Sequence, residues 1–86
     1  MSDPRVNYVS QGPGGITVEC FDMPSGARLS LVNTTSGASF GQTDCQSENG
    51  TQTVAVAGAP GGQYYVLAQD ASGERLAQTV PFYISA

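Results

Sequence analysis

Apolar and polar residues alternate along much of this chain. Ile16, Val18 and Cys20 fall on one side of an extended run, and Thr17, Glu19 and Phe21 on the other. A period of two is the mark of a half-buried strand, because successive side chains point to opposite faces. Leu29 and Leu31 share a face in the run 28–33, and Val54 and Val56 in the run 51–57. A first short run spans 5–10, with Val6, Tyr8 and Val9. A weaker one spans 38–43, with Phe40 its only large apolar group. Between the runs lie turn-forming clusters: Gln11-Gly12-Pro13-Gly14-Gly15, Pro24-Ser25-Gly26, Thr34-Thr35-Ser36-Gly37, the polar stretch 44–50, and Ala59-Pro60-Gly61-Gly62. Gly and Pro at this density end regular structure.

The last third carries the clearest signal. The runs 63–70 and 76–85 are joined by Ala71-Ser72-Gly73-Glu74-Arg75, a length that suits a β-hairpin with a type I turn and a bulge. Alternation places Tyr64, Val66 and Ala68 on one face, opposite Val80, Phe82 and Ile84 on the partner strand. Pro81 cannot donate to a ladder, so the last strand belongs at a sheet edge. No stretch shows helical periodicity. Seven short runs with turns every 8–12 residues predict an all-β sandwich of about seven antiparallel strands in two sheets. The expectation is one domain over 1–86, with 1–5 as a flexible N-terminal arm.

The segment Gly62-Gln63-Tyr64-Tyr65-Val66, leading into a hairpin and a final apolar strand, resembles the end of an immunoglobulin-like or fibronectin-III-like domain. The resemblance implies an immunoglobulin-like β-sandwich. It also implies that Tyr64 is the corner tyrosine whose hydroxyl bonds back to nearby backbone. The chain departs from antibody-type domains in having Val66 where their second Cys stands, and in having no Trp. The resemblance is therefore to the looser bacterial and bacteriophage modules.

Composition narrows the function. The chain has 86 residues, three Arg against seven acidic residues, and neither His nor Lys. The net charge of −4 gives no basic footprint for nucleic acid or anionic membrane. No apolar run is long enough for a transmembrane helix, and the first twenty residues lack the pattern of a signal peptide. Without His, the commonest general base and metal ligand is absent. Ser and Thr are plentiful, but no His or Lys stands by to activate a hydroxyl.

Each candidate for chemistry has a bland counterpart. Cys20 and Cys45, if bridged, close a loop worth about 3 kcal/mol in the chain-entropy picture. Otherwise Cys20 is a small core residue, and the Cα separation decides between the two. Two Cys without His make no zinc site. Asp44 with Glu48, and Asp70 with Glu74, share loops that suit a weak Ca²⁺ site or a glycosidase pair, but turn-forming and solvated carboxylates fit better. Gly12, Gly14 and Gly15 precede a strand rather than a helix, which argues for a connection and against a phosphate loop. Asn33-Thr34-Thr35 and Asn49-Gly50-Thr51 have the form of glycosylation sequons.

Alternation turns Phe21, Val32, Tyr65 and Leu67 away from the core face, as an exposed apolar patch that would serve as an interface. The expectation is thus a non-catalytic module, without metal or cofactor, that binds protein and is open to homo-oligomerisation. Its sharpest form is a bacteriophage capsid decoration or accessory protein on the virion surface. The alternative is an accessory ligand- or carbohydrate-binding domain of a secreted bacterial enzyme or adhesin.

Overall fold

A computed structural model of the chain describes residues 3–12, 15–46, 48–56 and 58–84. Among them are eight strands: β1 (Arg5–Gly12), β2 (Gly15–Phe21), β3 (Arg28–Asn33), β4 (Ser39–Asp44), β5 (Gly50–Val54), β6 (Gly62–Gln69), β7 (Arg75–Gln78) and β8 (Phe82–Ile84). They form two antiparallel sheets, β1-β2-β5 and β4-β3-β6-β7, with β8 also on β6. The protein is an all-β sandwich. Among the described residues no helix is long and apolar enough to cross a membrane.

The period-two pattern does the sorting. Val6, Ile16, Val18, Cys20 and Val54 line the three-stranded sheet, and Leu29, Leu31, Tyr64, Val66, Ala68, Phe82 and Ile84 the five-stranded one. All are buried in one shared core. Aromatic contacts bridge the sheets and strands: Tyr8 stacks on Phe82 with ring centroids 4.6 Å apart, and Phe40 meets Tyr64 edge-on at 6.1 Å. Such pairs add to what burial alone contributes.

The two sheets also meet at their edges. β1 approaches the β7–β8 side, where the Gln11 amide donates to the Tyr83 carbonyl at 2.7 Å. β4 approaches β5, where the Gln52 side chain donates to the Asp44 carbonyl and accepts from the Gln46 amide at 3.0 Å. Gly41 sits at this seam with φ +60°, and a Cβ there would collide with the Ala55 carbonyl. Both the dihedral and the close approach demand glycine.

The expected last strand is two strands. Gln78 pairs with Leu67 and Phe82 with Tyr64, so three residues (79–81) face two (65–66). This surplus is a bulge, and a bulge reverses the phase of alternation. Ala77 and Thr79 face inward before it, Phe82 and Ile84 after it. Val80, expected in the core with Phe82 and Ile84, is instead 72% exposed. Thr79 takes the inward place and is buried. Its amide donates to the Val66 carbonyl (3.0 Å), its hydroxyl accepts from the Val66 amide (3.0 Å), and that hydroxyl donates to the Val80 carbonyl (2.9 Å). One side chain thus supplies the acceptor that the interrupted ladder lacks. As expected from Pro81, β7 and β8 lie at the edge of their sheet.

The first strand is bulged as well. Tyr8 pairs with Val18 and Ser10 with Thr17, leaving Val9 without an opposite residue and half exposed. Arg5, which the sequence places at the junction of the N-terminal arm and the first run, belongs to β1 and pairs with Phe21. Residues 1–2 of that arm lie outside the described residues, as do Pro13 and Gly14 of the glycine-rich connection, whose flanking Gly12 and Gly15 pair with each other.

Candidate functional site

Three places on this scaffold gather chemistry or exposed apolar surface. The first is the outward face of the five-stranded sheet. On β3, Ser30 and Val32 point away from the core; on β6, Gln63, Tyr65 and Leu67 do. Register sets Val32 beside Tyr65, Ser30 beside Leu67, Leu67 beside Gln78, and Gln63 beside Tyr83. None of these outward rows carries a charged side chain. Charge begins one row further, where Arg28 and Arg75 stand on either side of Gln69: Arg28 pairs with Asp44 at 3.4 Å, and Arg75 donates back to the Gln78 side chain at 3.0 Å.

Three of the four residues expected to form an apolar patch are therefore neighbours: Val32, Tyr65 and Leu67. Phe21 is not with them. It lies on β2 in the other sheet, under the Arg5 guanidinium at 4.9 Å from the ring centre. Val32 also departs from expectation, being only 6% exposed although it points outward. It sits on a central strand between β4 and β6, opposite Tyr65 in the register. Tyr65 and Leu67 are half-buried, so the exposed part of this surface lies elsewhere. It lies at Tyr83 (70% exposed) and Val80, which the bulge at 79–81 turns outward. Sequence reasoning assigned Val80 to the core and did not single out Tyr83; the Pro81 break was the available signal for Val80, and alternation with the inward Phe82 and Ile84 the signal for Tyr83.

The second place is an open cleft of about 430 Å³ at one end of the sandwich, lined by Met23, Pro24, Ser25, Gly26, Cys45, Gln46 and Glu48. Cys45 packs against the core cluster that contains Cys20, near enough to influence that thiol. Both are thiols. Burial first, then the charge and hydrogen bond of Cys45, push the Cys20 thiol up to about 12. Cys20 is thus a poor nucleophile at neutral pH.

The carboxylates are divided among structural tasks. Asp70 heads the β6–β7 turn, where Oδ1 accepts from the Ser72 hydroxyl (2.6 Å), the Ser72 amide (2.9 Å) and the Glu74 amide (3.0 Å). The Ser72 hydroxyl, followed by the Glu74 amide, holds this carboxyl below the usual aspartate range. Among the described residues, no group of three or more Cys, Asp or Glu side chains is placed to hold a metal ion. Asn33 and Asn49, the first residues of the sequon-like triplets, also serve locally. The Asn33 side chain accepts from the Thr35 and Ser36 amides at 2.9 Å, and Asn49 accepts from the Asp22 amide at 3.1 Å.

The third place is the corner before β6. The Tyr64 hydroxyl donates to the Pro60 carbonyl at 2.6 Å, four residues upstream, while its ring is fully buried. This bond ties the connection from β5 to the start of β6. Compared with known proteins, the chain matches no protein family, no curated protein and no solved structure.

Proposed function

We propose that this protein is a non-catalytic interaction module of immunoglobulin-like type that docks on a larger protein assembly through the outward face of its five-stranded sheet. The observation that carries the reading is the uncharged strip of Tyr65, Leu67, Val80 and Tyr83, whose last two members stand 72% and 70% exposed. Large exposed apolar and aromatic side chains, with charge only at the border where the Arg75 guanidinium donates to Gln78 at 3.0 Å, have the composition of an interface centre. The immunoglobulin-like assignment is supported by the strand order β1-β2-β5 and β4-β3-β6-β7 and by the Tyr64–Pro60 bond at the corner. In its most specific form the assembly is a bacteriophage capsid that the module decorates.

Sedimentation of native particle fractions, with the chain followed by intact mass, tests this. The chain is expected to travel with a far larger particle. Purified wild-type chain should rebind stripped particles, and the double variant V80D/Y83D should not, with its melting temperature unchanged because both sites are exposed. A chain found free of any large particle, or a double variant that rebinds as well as wild type, overturns the proposal.

A further inference from the structure

The connection from β4 to β5 crosses from one sheet to the other and brings a cysteine with it. Cys45 follows β4 directly, and its amide donates to the Ala27 carbonyl at 2.8 Å. Gly50, at the other end of the connection, pairs with Cys20 on β2. Between them, the Glu48 carbonyl accepts from the Met23 amide at 3.1 Å, and Asn49 holds the Asp22 amide. The connection is therefore fastened at its far end to backbone that flanks Cys20 and at its near end to Ala27, just before β3, and it packs Cys45 against the core cluster that contains Cys20. Cys20 is only 1% exposed, whereas Cys45 is half-buried and forms part of the cleft wall.

We propose that Cys20 and Cys45 form a modification site, an oxidisable pair that a low-molecular-weight disulfide such as oxidised glutathione converts to a disulfide joining the two sheets. The cleft decides the order of events. The Cys45 thiolate attacks one sulfur of oxidised glutathione, forming a mixed disulfide and releasing one glutathione. Cys20 then attacks the Cys45 sulfur while its proton passes to the departing glutathione sulfur, forming the intramolecular S–S bond and releasing the second glutathione. Two protein thiols are oxidised, one glutathione disulfide is reduced to two thiols, and no other reactant is needed.

The product ties β2 to the end of β4 and fixes one wall of the cleft. The experiment is incubation of the folded chain with oxidised glutathione, followed by acid quench, denaturation, alkylation and intact mass. Wild type is expected to lose two hydrogens, take up no alkylating reagent, and melt higher by roughly 10 °C or more. Cys20→Ser should stop at a stable glutathione adduct on Cys45. Cys45→Ser, altered at a half-exposed position, should stay unmodified and show no gain in melting temperature. Wild type that still takes up two alkylating groups, retains a glutathione adduct, or links into dimers through Cys45 overturns the inference. If Cys20→Ser fails to fold, wild type against Cys45→Ser still decides.

Discussion

Thr79 does the work of a strand residue with its side chain. The hydroxyl satisfies the Val66 amide where Pro81 has broken the ladder, and it is buried while doing so. Thr79→Val preserves the shape and leaves the Val66 amide and the Val80 carbonyl without their hydroxyl partner. A buried donor left unsatisfied costs about 1–3 kcal/mol, and urea denaturation should show a loss of that size with the slope unchanged. Thr79→Ser, which keeps the oxygen, should recover most of it. Asp70 makes a different kind of contribution, one that depends on its charge. Its carboxyl is held below the ordinary value of 3.8, so the fold prefers the ionised form. That stabilisation is complete above the ordinary value and is lost as pH falls through the lowered one. The melting temperature of Asp70→Ala should lie below wild type at neutral pH, and the gap should narrow in acid.

Individual elements were legible in the sequence to different degrees. β2 and β6 alternate between a buried and a less buried face, and their inner residues could be read directly from the period of two; on β3 the inward Leu29 and Leu31 were equally plain, but the outward Ser30 and Val32 are buried as well. The turn at 70–74 was equally plain, because Asp70, Ser72 and Gly73 are turn-forming residues. The last strand could not be read so simply. A bulge adds one residue to one strand, and nothing in the local apolar pattern of Thr79-Val80-Pro81-Phe82 says which residue is the surplus one. Propensity favours Val80 for the core; the hydrogen bonds favour Thr79. Val9 on β1 illustrates the same difficulty, being turned out by a bulge that its neighbours Tyr8 and Ser10 do not announce. Gly41 shows how one element constrains another. Its dihedral and the approach of the Ala55 carbonyl both exclude a side chain, so Gly41→Ala should destabilise the protein by at least about 2 kcal/mol in thermal or urea unfolding. Gly37→Ala is the useful comparison: its φ is also positive, but nothing lies near its Cβ position, so the loss should be smaller.

At the scale of the molecule, the sandwich and its common core followed from short alternating runs punctuated by Gly and Pro. The surface was harder to read. Phe21 and Tyr65 both point away from the core, but they do so on different sheets. Alternation reports which side of its own strand a residue occupies, not which sheet that strand joins. The thiol pair also depends on topology, since only the crossing from β4 to β5 brings Cys45 to Cys20. The meeting of the sheets at their edges has one more consequence. β4 faces β5, β1 faces the β7–β8 side, and that last edge is interrupted by Pro81 and the bulge at 79–81. Open, regular edges are the templates on which sheets of separate molecules add to one another without limit. With its edges turned toward each other and its outermost strand broken, this molecule can be crowded onto a surface at high local density while each copy remains a discrete unit.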